Sequence, residues 1–193
     1  MQLLHQRMIK YPKSFDRPRV ILDVNFYVNC MLAMLELDVT DHPMNLPEGF
    51  DSYLQGEFPK HGEKWEGCTH LYFPVCSRSH WYAIEVDIVK STMFIYDPDK
   101  SCSTDDQIRA DLKPMTTILP MLLKKINIVI DALAIERITT TSKQSNSGDC
   151  GIYAIKYIEL LSIGRKVELV NGFHMPKWRR KLAVELYTLD CTP

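Results

Sequence analysis

Cys150 stands where a cluster of turn and cap formers, Gln144 to Asp149 (QSNSGD), gives way to an apolar run, GIYAIKYIELL. A residue there sits at the start of a helix. The unpaired backbone N–H groups and the positive dipole end favour the thiolate, which is the form that attacks a carbonyl. His80 opens a strand-like stretch, HWYAIEVDI, and Asp97 closes the next one, TMFIYD. In an antiparallel hairpin the start of one strand lies beside the end of its partner, so the two side chains share one end of the sheet. A carboxylate there fixes the imidazole tautomer and stabilises its cation, leaving the other ring nitrogen for a thiol. Gln144 precedes Cys150 by a short turn, from which its amide could donate to an oxyanion together with the Cys150 N–H. Taken singly, each residue has a plainer reading: a small buried thiol, a half-exposed strand histidine, a turn aspartate in Asp97–Pro98–Asp99, a solvated glutamine. Their order and placement together point to nucleophilic catalysis by a thiol.

The elements that must hold these residues can be read from periodicity. Residues 1–19 are polar, contain Pro12 and Pro18, and are expected to be a loose lead-in. From Asp23, VNFYVNCMLAMLEL reads as a largely buried helix. Residues 41–67, with three prolines and four glycines, read as a long irregular segment. HLYFPVC (70–76), HWYAIEVDI (80–88) and TMFIYD (92–97) read as strands, the last two forming a hairpin across VKS. In HWYAIEVDI, His80, Tyr82, Ile84, Val86 and Ile88 form the mostly apolar face. Residues 104–125 open like a helix, with acidic residues first and Lys124 and Lys125 last; Pro114 and Pro120 are expected to break or kink it. Residues 126–142 are rich in β-branched residues and read as one or two strands. Residues 151–163 read as a buried helix stopped at Gly164, and 176–189 as a final amphipathic helix. Helices and strands in this order describe an α+β protein with a single domain over 1–193.

Composition narrows the function classes. Hydrophobic residues make up 46% and charged residues 24%, with a formal net charge of -1. No global basic field invites nucleic acid or an anionic membrane. No apolar run reaches the ~18 residues of a membrane span, and no secretory h-region is visible at the start. Six cysteines, at 30, 68, 76, 102, 150 and 191, form no CxxC pair. They fit reduced thiols and hence a nuclear or cytoplasmic setting. His61, Cys68, His70 and Cys76 are close in sequence, but their spacing matches no zinc knuckle or ribbon, so no metal is expected. Lys177, Arg179, Arg180 and Lys181 are expected to be the solvated face of the last helix.

The segment GDCGIYAIKYIELL preceded by Gln144 resembles the active-site segment of Ulp1-type cysteine proteases, Gln-x-x-x-x-Asp-Cys-Gly followed by a helix. HWYAIEVDIVKSTMFIYDPDKS resembles their His-Trp and Asp strands, and LYFPVCSRSHW the strand and turn before that histidine. The resemblance is good over about residues 68 to 165. It implies a papain-like fold of the Ulp1/adenovirus-protease type, with a central, mostly antiparallel sheet flanked by helices. It also implies cofactor-free hydrolysis of peptide or isopeptide bonds after the C-terminal Gly-Gly of a ubiquitin-like modifier, most often SUMO; a monomer is expected. Carried onto this chain, Cys150 is the nucleophile, His80 the general base and later acid, Asp97 the orienter and Gln144 the oxyanion donor. Trp81, with Gly148 and Asp149, lies on the substrate side, the indole enclosing the glycine tail. One departure stands out. The family carries Trp-Leu-x-Asp at its first helix, whereas this chain has VILDVN, with Asp23 in place and Val20 where the Trp falls. Either Trp65 substitutes or the glycine channel is incomplete, and in this the chain resembles divergent plant and transposable-element members. The same layout admits two other readings: a modifier-binding protein that does not cut, and an acyltransferase, whose coenzyme A phosphates would need a site such as Lys124 and Lys125.

Overall fold

The computed structural model describes residues 1–15, 18–39 and 49–191. In chain order the elements are α1 (Gln2–Lys10), β1 (Arg19–Ile21), α2 (Val24–Val39), α3 (Phe50–Leu54), β2 (His70–Ser77), β3 (His80–Asp87), β4 (Thr92–Tyr96), α4 (Asp105–Lys125), β5 (Ala134–Arg137), α5 (Cys150–Ser162) and α6 (Met175–Thr188). The five strands form one sheet in the order β1-β2-β3-β4-β5. Its centre, β2-β3-β4, is antiparallel, and both edge strands join in parallel. Each parallel pairing needs a crossover. α2 and α3 lie in the connection between β1 and β2, and α4 lies in the one between β4 and β5.

Both faces of the sheet are covered. On one face Leu71, Phe73, Val75, Tyr82, Ile84 and Val86 pack with Phe26 and Cys30 of α2 and with Ile108, Leu112, Met115 and Leu119 of α4. On the other, Tyr72, Ala83 and Tyr96 pack with Tyr153, Ala154, Tyr157 and Ile158 of α5 and with Leu4 and Met8 of α1. The less apolar face of β3 is therefore also buried. Glu85, 8% exposed, lies in it, and its carboxylate accepts from the Tyr72 hydroxyl at 3.0 Å and the Tyr96 hydroxyl at 2.6 Å. A buried carboxylate without such donors would cost several kcal/mol.

Several elements depart from the sequence reading. The expected loose lead-in contains a nine-residue helix, α1, and the first residue of β1. Its polar composition conceals an inward stripe of Leu4, His5, Arg7 and Met8. His5 Nε2 meets the Ile21 carbonyl at 2.7 Å, and Arg7 bridges Glu159 of α5 and Glu185 of α6. α4 runs unbroken from Asp105 to Lys125 through both prolines. The carbonyls whose donors those prolines remove belong, at four residues back, to exposed Ala110 and half-buried Thr116, where water can take the missing bond. A Thr104–Gln107 capping box starts the helix, and its apolar stripe continues past each proline. The β-branched run 126–142 gives one four-residue strand, β5. Part of the expected irregular segment, residues 41–48, lies outside the described residues; the rest holds α3 and Trp65.

Trp65 is fully buried, its ring 5.6 Å from that of Phe26. It is a core residue and cannot wall a substrate channel. Trp65→Ala should destabilise the fold by about 3–5 kcal/mol in urea unfolding, while the KM of the folded protein stays unchanged. A raised KM at unchanged stability would assign it to the substrate instead.

Candidate active site

β2 and β3 are joined by a two-residue turn, Arg78–Ser79, with φ of 49° and 60°. Two successive positive φ values are the requirement of a type I′ hairpin, whose twist matches that of the strands. Neither residue is a glycine, and the conformation is backed by a bidentate pair from Arg78 to Asp111 of α4 at 2.9 and 2.7 Å. His80 emerges from this turn as the first residue of β3 and is 4% exposed.

Asp97 follows the last residue of β4. Its side chain is buried, and Oδ1 lies 2.7 Å from His80 Nε2. Oδ1 also accepts the Asp99 N–H at 2.8 Å, Oδ2 accepts Arg137 Nη2 at 2.5 Å, and the Asp97 carbonyl accepts the Thr141 hydroxyl at 2.8 Å. Burial pushes this carboxyl up, but the bonds from His80, Asp99 and Arg137 outweigh it and hold the group below the usual carboxylate range. With Nε2 committed to Asp97, Nδ1 is the nitrogen left for a thiol.

Cys150 is the first residue of α5 and is 6% exposed. The chain reaches it through Gly148, at φ +87°, a conformation that suits glycine. The helix start is secured from the far end of the chain. The Asp149 carboxylate, 1% exposed, is gripped by Nε (2.9 Å) and Nη2 of Arg179 in α6, and the same Nη2 donates to the Gly148 carbonyl at 3.2 Å. β3 and α5 meet at the next position along each. A Cβ on Gly151 would lie 3.6 Å from the Trp81 ring, so the residue after His80 rests on the residue after Cys150. Beside this contact opens a cavity of 330 Å³, mostly apolar, lined by Trp81, Gly151, Pro74, Asp23, Val24, Ile155, Met1 and Gln2.

The sequence-predicted residues thus fall into two groups. His80 and Asp97 are in direct contact, and Trp81 and Gly151 bring the Cys150 helix to the same end of the sheet. Gln144 is anchored to the Asp97 loop. Its N–H donates to the Pro98 carbonyl at 2.8 Å and Nε2 donates to Asp99 Oδ2 at 3.3 Å, while Oε1 is buried without a partner. One amide N–H remains uncommitted. Asp149, expected on the substrate side, turns its carboxylate inward to Arg179; Gly148 is exposed. Arg179, expected on a solvated helix face, is half-exposed and tied to the Cys150 turn. Val20, where the family's Trp falls, is buried in β1, and the cavity wall there is made by Asp23 and Val24. Lys125 pairs with Asp51 at 2.7 Å. Among the described residues no three of His, Cys, Asp and Glu gather into a metal-binding group. Sequence reasoning missed Arg137 and Thr141, which no local motif marks because each acts through a tertiary contact, and it read Asp99 only as part of the Asp97–Pro98–Asp99 turn, from which its N–H reaches Asp97.

Residues 5–191 match the Ulp1 protease family, C-terminal catalytic domain. The chain belongs to this family. It is a cysteine peptidase of the Ulp1 type, with the α+β fold of that catalytic domain. The fold is shared with the X-ray structure of the C-terminal Ulp1 protease domain in complex with Smt3, the yeast orthologue of SUMO, at 18% identity and a TM-score of 0.64 over 96% of this chain and 75% of that one. The Ulp1-like SUMO protease catalytic domain of Chaetomium thermophilum gives 15% identity and 0.65 over 99% and 70%. A crystal structure of a de-sumoylating protease gives 13% and 0.55 over 93% and 63%. No curated protein sequence matches the chain.

The Arg179–Asp149 pair adjoins Cys150, so its charge balance bears on that thiol. Arg179→Met leaves a buried carboxylate uncompensated one residue from the thiol. Alkylation of Cys150 by iodoacetamide at pH 7 should then slow about threefold to tenfold, because an added negative charge disfavours the thiolate. Adding Asp149→Asn should restore most of the rate. A double variant as slow as the single one would show that the pair acts through backbone placement alone.

Proposed function

We propose that this Ulp1-family peptidase cleaves peptide or isopeptide bonds after the C-terminal Gly-Gly of a ubiquitin-like modifier of the SUMO type, acting as a monomer through Cys150, His80, Asp97 and Gln144. The observation that carries the reading is the paired contact at one end of the sheet: His80 on Asp97 at 2.7 Å, and Trp81 on Gly151 beside the apolar cavity. The relatives described as SUMO proteases support the choice of modifier.

In this scheme His80 Nδ1 takes the thiol proton, and the Cys150 sulfur attacks the carbonyl carbon of the last glycine. The oxyanion is met by the Cys150 N–H and the free Gln144 amide N–H. As the tetrahedral intermediate collapses, the C–N bond breaks and the leaving amine receives the proton from His80. The resulting thioester is hydrolysed by a water that His80 deprotonates, and the returned proton regenerates the thiol. Asp97 stabilises the imidazolium in each step without itself being protonated. The tail reaches the thiol through the cavity, with Trp81 on one side and Asp23 and Val24 on the other. Glycines suit such a slot because they carry no side chain to keep the indole away.

Probes consisting of SUMO or ubiquitin with a C-terminal electrophile, analysed by mass spectrometry, test this directly. A SUMO adduct on Cys150 that is absent from Cys150→Ala is the expected outcome. Trp81→Ala should slow the SUMO probe at least tenfold and iodoacetamide less than twofold. Equal losses on both reagents would remove Trp81 from tail recognition. Labelling by ubiquitin alone would change the substrate.

A further inference from the structure

Arg137 ends β5, at a sheet edge, where nothing in the chemistry of peptide cleavage calls for an arginine. Its guanidinium nevertheless reaches the centre of the site. Nη2 donates to Asp97 Oδ2 at 2.5 Å, on the side of the carboxylate opposite to His80, and Nη1 donates to the Ser103 carbonyl at 3.0 Å and to Asp105 Oδ1 at 2.8 Å. The Arg137 side chain is 13% exposed, that of Asp97 is 0%, and that of Asp105 is 69%. Asp97 therefore divides one negative charge between two cations, the imidazolium formed in catalysis and a permanent guanidinium. The guanidinium in turn is partly neutralised by a solvent-facing aspartate at the first turn of α4.

We infer that Arg137 is a positioning residue that orients the Asp97 carboxylate toward His80 and, by competing for its charge, sets the pH at which the Cys150–His80 pair becomes reactive, with Asp105 as a counterweight. This deepens the protease reading and rests on it. Two consequences separate the role from simple strand fastening. First, Nη2 holds Oδ2 while Nη1 is tied to Ser103 and Asp105, so the two prongs together fix which oxygen faces His80. Second, without the cation the site is one charge more negative, and every deprotonation in it becomes harder. The remaining charges nearby have partners of their own: Arg78 pairs with Asp111, Arg179 with Asp149 beside Cys150, and Asp99 accepts from Ser101 and Gln144 and faces Lys143. Tyr82 and Tyr157 face Asp97 as neutral phenols, pushed up by burial, and burial together with Asp99 and Asp97 also pushes up the Cys102 thiol. Arg137 is thus the cation bound directly to the Asp97 carboxylate among the described residues.

The experiment is the pH–rate profile for iodoacetamide alkylation of Cys150, followed by mass spectrometry on the whole chain, for the wild type and four variants. In Arg137→Gln the profile should move alkaline by about 0.5–2 pH units, the span given by effective dielectrics from water-like to surface-like. Arg137→Lys keeps the charge and should stay within about 0.3 units while losing some rate through the lost fork. Asp105→Asn, at an exposed position that should not disturb folding, should move the profile the opposite way, acidic by a few tenths. It keeps the idea falsifiable if Arg137→Gln proves unstable. Profiles that superimpose after scaling, for Arg137→Gln or for Asp105→Asn, would overturn the inference and leave Arg137 as a fastener. His80→Ala identifies the other failure: if it alkylates like the wild type, the protease reading itself falls, and the inference with it.

Discussion

The Asp97 carboxylate is the constraint around which the site is arranged. A carboxylate removed from water must find donors for both oxygens or take up a proton, and a protonated Asp97 could not stabilise an imidazolium. The protein supplies donors from three places: His80 on the neighbouring strand, the Asp99 N–H in the turn that follows, and Arg137 from the sheet edge. Thr141 holds the backbone of the same residue. The β4–β5 pairing and the α4 crossover that brings β5 back into the sheet therefore help Asp97 to stay ionised.

A similar arrangement serves Cys150. The turn before Cys150 is short and contains a positive-φ glycine, and its stiffness is borrowed from α6 through Arg179. α6 is close in space for a reason laid down at the other end of the chain, where Arg7 of α1 binds Glu159 of α5 and Glu185 of α6 together. Arg137 and Arg179 thus pair with two buried carboxylates, Asp97 and Asp149, that lie 40 and 30 residues away in sequence.

What could be read from the sequence was what is encoded locally. The hairpin holding His80 and Asp97 follows from period-two alternation and a short connection. The start of α5 follows from an abrupt change in composition after a turn, and its end from Gly164, which takes φ +68°. What escaped depends on partners distant in sequence. Arg137 and Arg179 look like ordinary surface arginines until their carboxylates are placed. α1 reads as polar because half of its inward stripe, His5 and Arg7, is polar and satisfied only by tertiary contacts. Pro114 and Pro120 read as breakers because propensity counts the lost N–H and not the apolar stripe that α4 buries on either side. Trp65 reads as a candidate channel wall because Val20 stands where the family's Trp falls, and a buried ring leaves no trace in a segment with so little periodicity.

The contact between Trp81 and Gly151 has a consequence for how this site could change over time. A methyl at position 151 would just touch the indole at 3.6 Å. Any side chain reaching beyond it would have to displace the ring, and with it one wall of the cavity. The two positions therefore form a single unit of variation: a lineage that enlarged one would have to shrink the other, and the width of the cavity would drift with the pair rather than with either residue alone.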